Sequence, residues 1–292
     1  MFHVQEHCFT LPQISKIISD FNLEFLGFTD EGIKNRYSKL FPDDRKNILL
    51  ENVSFKFSDT WLIRNLSFIF EENKTTTILG HSGCGKSTLL KLISGIIDPN
   101  EGTITVENTS ERLGKIAYMQ QRDLLFNWLT VKENAILPLR IKGNYKDFSD
   151  SDVLQKAKIL GIENILDYYP LQLSGGMKQR VAFLRTILQD SDFILLDEPF
   201  ASLDAIRRLE LYNWIENIKE KINKSFILVT HDIEEAIYLS DIVIIMLPGS
   251  NNFIHVKNIT IPHPRKNSII TSQKFVKYKK QLLEDLQNVK NY

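Results

Sequence analysis

The 292-residue sequence predicts an α/β fold around a largely parallel, buried sheet. Three observations carry that prediction. TTTIL (75–79) runs straight into GHSGCGKST (80–88), a glycine-rich turn that opens a helical run. FILL before Asp197 and SFILV before Thr230 are continuous apolar runs of the kind buried on both faces of a sheet. From residue 48 onward such runs alternate with helical patterns, as crossover units require.

Along the chain, residues 1–46 read as an N-terminal appendage. Thr10 and Pro12 open a helix with Ile14, Ile17, Ile18 and Phe21 on its apolar face. LEFLGF (23–28) reads as extended, and FPDDRKN (41–47) as a linker. The piece is too short for a sizeable core, and no role for it follows from its residues. ILLENVSFKF (48–57) and WLIRNLSFIF (61–70) are strand runs, followed by KTTTILG, GTITVE (102–107) and KIAYMQQ (115–121). Residues 149–189 are mostly helical, with Ser149 or Ser151 as the cap before Val153, Ala157 and Leu160. DIEEAIYLSD (232–241) is a helix and IVIIML (242–247) a strand. Phe275, Tyr278, Leu282 and Leu286 recur at helical spacing near the C-terminus.

Composition narrows the function classes. Thirty-six basic residues balance 36 acidic ones, and no basic stripe with interleaved aromatics appears, so no nucleic-acid partner is expected. Cys8 and Cys84 have no metal-ligand spacing, and Cys84 sits inside the glycine-rich turn. A disulfide framework is not expected, and a reducing cytosol fits. No apolar run approaches the ~20 residues that span a bilayer, and the N-terminus lacks a signal-peptide pattern.

Gly80, four residues, Gly85, Lys86 and Ser87 form G-x-x-x-x-G-K-S, the phosphate-cradling loop of a P-loop NTPase. A chance match in a chain this long has a probability of about one per cent. Its glycines let successive N–H groups face one concave side, and the helix that follows favours an anion at its start. The residues expected at the nucleotide are Gly80, His81, Ser82, Gly83, Cys84, Gly85, Lys86, Ser87 and Thr88. Lys86 would reach the β- and γ-phosphates, and the Ser87 hydroxyl would ligate Mg²⁺.

In an open α/β sheet, ligands bind outside the carboxyl ends of the strands. Gly80, the pair Asp197–Glu198 and the pair Thr230–His231 all stand at such ends and should converge. Asp197 is placed to hold Mg²⁺, and Glu198 to act as the general base on an attacking water. Two acids after an apolar strand are often only a solvated strand end; beside a phosphate loop that reading gives way. LQLSGGMKQR (171–180) adds a second anion-binding helix start: Ser174 caps it, with Gly175 and Gly176 in the exposed first turn. One phosphate does not need two cradles in one subunit, whereas a second subunit's nucleotide could use the other.

At this point the chain resembles the ATP-binding subunit of an ABC transporter, from residue 48 to about 290. LSGGMKQR is similar to the family signature, FILLDEPFASLD to the Walker B motif and D-loop, and VTHD to the switch-histidine region. Gln121 matches the Q-loop glutamine, preferred to Gln120 by its spacing to Trp128, and is implied as both catalytic and metal-contacting. Phe57, ahead of Phe55 and Trp61, matches the aromatic that stacks on adenine. The resemblance implies a RecA-like core with a mixed sheet, an antiparallel β subdomain and a helical signature subdomain at about 122–175. The ATPase domain would span 47–250, with a C-terminal extension and helix at 251–292. It further implies ATP and Mg²⁺ as cofactors and an ATP-dependent homodimer with two nucleotides between phosphate loops and signatures. His231 would contact the γ-phosphate.

QRDLLFNWLTVKENA and ITIPHPRKNS are similar to the importer branch for nitrate, sulfonates, taurine and pyrimidine precursors, apart from Asn127 where that branch usually has proline. That branch implies integral-membrane permease partners, a separate solute-binding protein acting indirectly, and a peripheral location on the cytoplasmic face of the inner membrane. The alternative is a soluble ABC ATPase of translation or DNA repair, and the short Gln121–Ser174 segment and single cassette oppose it. Trp128 has two readings, a core residue of the helical subdomain or part of a groove for a permease helix.

Overall fold

A computed structural model describes residues 46–107, 109–143, 149–200, 205–222, 224–247 and 253–288. The expectations for residues 1–45 and for the D-loop at 201–204 lie outside the described residues.

Two sheets organise the chain. Strands β1 (Ile48–Phe57), β2 (Thr60–Phe70) and β4 (Glu101–Val106) form an antiparallel sheet in the order β2-β1-β4. Strands β3 (Thr75–Leu79), β5 (Ala117–Met119), β6 (Phe193–Asp197), β7 (Ser225–Thr230), β8 (Ile242–Met246) and β9 (Phe253–Asn258) form the second, in the order β5-β6-β7-β3-β8-β9. All its pairings are parallel except β8 with β9.

Helix α1 (Lys86–Ser94) starts at Lys86, immediately after the left-handed Gly85. It lies between the sheets. Its Leu89, Leu90, Leu92 and Ile93 join Ile48, Leu50 and Ile63 of the antiparallel sheet in one cluster with Phe193, Leu195, Ile227, Val229 and Ile244 of the main sheet. The alternate residues Ile194, Leu196, Phe226, Leu228, Val243 and Ile245 point the other way, into a second cluster lined by helices. Side chains alternate along a strand, so burial on both faces turns the expected alternation into unbroken apolar runs.

On that second side lie α2 (Val131–Lys142), α3 (Asp150–Ile159), α4 (Gly175–Ile187), α5 (Ala205–Ile222) and α6 (Ile233–Leu239). Their starts are chemically marked. Thr130 with Glu133, and Ser149 with Asp152, form reciprocal capping boxes, and Ser174 caps α4. Of the two serines considered for α3, Ser149 is the cap.

The C-terminal segment completes the same body. β9 was not foreseen: FIHVKN is a short edge strand with His255, Lys257 and Asn258, so it lacks the apolar continuity of the inner strands. Helix α7 (Gln273–Asn288) follows the spaced apolar residues; Phe275 and Leu282 are buried, and Tyr278 and Leu286 pack against the cluster. Arg265 is buried between these pieces and donates to the carbonyls of Ile237, Tyr238, Ser240 and Ile261.

Candidate nucleotide site

Strand register brings the chemistry to one edge. Leu79 pairs with Thr230, and Asp197 with Val229, so Gly80, Glu198 and His231 leave the sheet at neighbouring points. Two backbone bonds fasten these exits: Gly80 N–H to Thr230 O at 3.3 Å and Glu198 N–H to Val229 O at 2.9 Å. Glu198 adopts φ +44°, a left-handed conformation that costs a non-glycine residue about 1–2 kcal/mol. From that position its carboxylate lies 3.8 Å from Lys86 Nζ of the loop.

The phosphate loop is tightly shaped. A Cβ at Gly80 would lie 2.5 Å from the Met246 carbonyl oxygen, and Gly85 has φ +103°. His81, Ser82 and Gly83 form its exposed rim, Cys84 to Lys86 are buried, and Ser87 and Thr88 are half-buried. Lys86 Nζ donates to the Gly80 and His81 carbonyls, both at 2.9 Å, and lies 3.8 Å from Glu198 Oε1. Burial pushes the Cys84 thiol up, so it stays protonated and acts as packing.

Asp197 and Glu198 have different surroundings. Ser87 Oγ donates to Asp197 Oδ1 at 2.8 Å, and Tyr118 OH to Asp197 Oδ2 at 2.9 Å. Burial raises the Asp197 pKa against those two bonds. Burial and the Asp197 charge push the Tyr118 phenol up, which keeps it a donor. Glu198 Oε2 accepts from Gln121 Nε2 at 3.3 Å and lies 3.4 Å from His231 Nδ1. Lys86, Gln121 and His231 thus meet around the Glu198 carboxylate.

Phe57 ends β1 and is 60% exposed, with its ring edge-on to Phe55 at 4.8 Å. Leu62 of the same hairpin would lie 3.1 Å from a Cβ at Gly85, so the hairpin abuts the phosphate loop. Trp61 instead carries Lys56 Nζ 5.1 Å above its ring. The signature stands apart. Ser174 Oγ accepts from Met177 N–H at 3.3 Å, and Gly175 and Gly176 have open space around them. Ser174 and Gly176 line a separate concavity with Gly161, Arg180 and Glu210, and no phosphate-loop residue lines it.

A family model described as "ABC transporter" matches residues 63–201. The formylaminopyrimidine import ATP-binding protein ThiZ of Halalkalibacterium halodurans is 39% identical over 246 residues, covering 82% of this chain and 94% of that protein. The chain belongs to the ABC transporter ATP-binding family. The aliphatic sulfonates import ATP-binding protein SsuB of Bacillus cereus is 38% identical, covering 77% of this chain and 88% of its own. A solved dimeric ATP-binding cassette in a post-hydrolysis state, bound to ADP and Pi, superposes with TM-score 0.64 at 27% identity, covering 74% of this chain and all of that one. As a member of that family the protein binds and hydrolyses ATP.

Beyond the nucleotide edge, the cassette exposes Leu124, Phe126 and Trp128 together, with Trp128 71% exposed and its ring 4.9 Å from that of Phe126. The core reading of Trp128 fails. Sequence reasoning missed the braces of this loop. Asn134, fully buried, accepts from Phe126 N–H at 2.8 Å and donates to the carbonyls of Phe126, Leu129 and Thr130. Arg185 donates to the carbonyls of Asp123 and Leu124. Tyr118 was missed as well, because its reach to Asp197 depends on the β5–β6 register. A polar-tipped aromatic within a short strand was the available signal.

Proposed function

We propose that this cassette is the ATP-hydrolysing subunit of a bacterial importer for a small solute of the sulfonate or pyrimidine-precursor type. One observation carries the catalytic reading: the Glu198 carboxylate is approached by Gln121, His231 and Lys86 at the carboxyl edge of the sheet. Glu198 takes a proton from the attacking water. Gln121 and His231 hold its carboxylate and the incoming water in line. Lys86 exchanges its two carbonyl contacts for phosphate oxygens, which are better acceptors for an ammonium.

Ser87 Oγ and Asp197 would hold Mg²⁺, with Gln121 beside them. The donor set fits: a hydroxyl already bonded to a carboxylate whose charge is disfavoured by burial gains from a hard cation. The ion would neutralise charge developing on the β- and γ-phosphate oxygens. Phe57 stacks on adenine from the exposed hairpin end. Ser174, Gly175 and Gly176 serve the nucleotide of the second subunit, consistent with a concavity that Ser174 and Gly176 line and no phosphate-loop residue shares.

Permease subunits at the cytoplasmic face of the membrane are the direct partners, and a solute-binding protein acts through them. The relatives' roles in formylaminopyrimidine and sulfonate import support that reading, and the balanced 36 against 36 charge favours no nucleic acid. Residues 47–250 act as the ATPase domain, 251–292 as its C-terminal extension, and 1–46 as an N-terminal appendage that carries none of the motif residues. Glu198→Gln should keep ATP binding and slow phosphate release by about 100- to 10,000-fold, the range for losing a general base. Turnover equal to wild type would remove Glu198 from that role.

A further inference from the structure

The turn that carries His231 is held by a buried acid outside the catalytic group. Glu235 lies in the first turn of α6 and is 3% exposed. Its Oε2 accepts from Thr230 Oγ1 at 2.7 Å, and that same hydroxyl accepts from Asp232 N–H at 3.0 Å. One carboxyl, working through one hydroxyl, therefore fixes both neighbours of His231. Asp232 extends the arrangement: it caps α6 by accepting from the N–H groups of Glu234 and Glu235, and it pairs with Arg208 of α5. His231 sits between the two fastened residues, 3.4 Å from Glu198.

The surroundings decide which form of Glu235 is held there. Its second oxygen, Oε1, is buried with no hydrogen-bond partner. The charged and titratable groups acting on it are Asp232 of its own turn, Arg208 and Tyr212 of α5, and Glu198 at the end of β6. Helix α7, packed on α6, brings Lys279 to Glu234 instead. Among the described residues with a leading effect on it, Arg208 is the cation, and Asp232 already engages it. Burial, with Asp232 and Glu198 adding to it, pushes Glu235 up to about 8. A carboxylate here would place an unpartnered anionic oxygen in the interior near two other acids, which is costly. A neutral acid keeps the Thr230 bond without that cost.

We infer that Glu235, as a neutral carboxylic acid, is a positioning residue for ATP hydrolysis that locks the Thr230–Asp232 turn and so sets His231 against Glu198. The inference rests on the proposed roles of His231 and Glu198. Ionising Glu235 drives its carboxylate toward water, loosens the start of α6 and withdraws His231, leaving the phosphate loop as it was. The effect therefore falls on kcat and spares nucleotide affinity.

The test compares ATP hydrolysis by the full chain and its Glu235→Gln, Glu235→Ala and His231→Ala variants from about pH 6.5 to about pH 9.5, with binding of a fluorescent ATP analogue in parallel. Wild type should lose kcat above about pH 8 with little change in KM. Glu235→Gln, a permanent mimic of the neutral acid, should rescue most of the neutral-pH turnover that Glu235→Ala loses, and should lack the alkaline fall. Glu235→Ala should lose about tenfold or more in kcat and still bind the analogue. If alanine prevents folding, the glutamine comparison alone decides. An alkaline fall kept unchanged in Glu235→Gln, with His231→Ala impaired, overturns the inference alone. Wild-type turnover in His231→Ala overturns the proposed role of His231 and this inference with it.

Discussion

Lys86 already spends its charge inside the protein, on two carbonyls of its own loop and on Glu198. Its replacement by alanine removes the ammonium held in the cradle, so Lys86→Ala should lose ATP binding, read by fluorescent-nucleotide titration. Unchanged affinity would mean that the loop is not the nucleotide cradle. Glu235 makes a second residue-scale prediction, through stability. Its folded pKa is about 8 against an ordinary 4.5. Between those values the native chain holds a proton that the unfolded chain has released, so stability falls as pH rises through that window and changes no further above it. The slope is about 1.4 kcal/mol per pH unit. Glu235→Gln cannot titrate, so its melting temperature should vary less between pH 5 and 8 than that of wild type. Parallel melting curves would remove Glu235 as the source.

The loop after β5 shows what spacing could and could not reveal at the scale of elements. Its apolar residues were visible in LLFNWLTV, and so were two possible destinies for Trp128. Exposure removes the core reading, because Trp128 stands out of the core with Phe126 and Leu124. Trp128→Ala should therefore weaken permease association by about 2 kcal/mol or more, the scale of an interface hot spot, with little change in melting temperature. A pull-down unchanged by the substitution would reject this surface as the permease site. Asn134→Ala should do the reverse on stability: it strands buried backbone groups of this loop, and each such group costs about 1–3 kcal/mol. A melting temperature equal to wild type would show the brace to be dispensable. The apolar face of α7 and the cap at Ser174 were legible, and the cap of α3 was narrowed to Ser149 or Ser151, because periodicity and capping are local. The Asn134 brace, the Tyr118 contact and the β9 edge were not, because each depends on which distant backbone lies alongside.

At the scale of the whole molecule, convergence of strand ends was legible from the order of motifs, and it brings Gly80, Asp197, Glu198 and His231 to one edge. The signature could be recognised but not placed within the chain by sequence alone. In the fold it lines its own concavity, which no phosphate-loop residue shares. A dimeric neighbour with ADP and Pi is consistent with two copies completing each other's sites. Ser174→Arg tests that arrangement. The substitution removes a cap, which costs roughly 1 kcal/mol, and places a bulky cation where α4 begins. A single chain should still bind ATP, since its cradle is untouched. Placed in the Glu198→Gln background, which should accumulate an ATP-bound dimer, the change should return the protein to a monomer on size exclusion in ATP. Loss of ATP binding by the monomer, in a protein that melts normally, would put the signature in its own subunit's site and reject the shared arrangement.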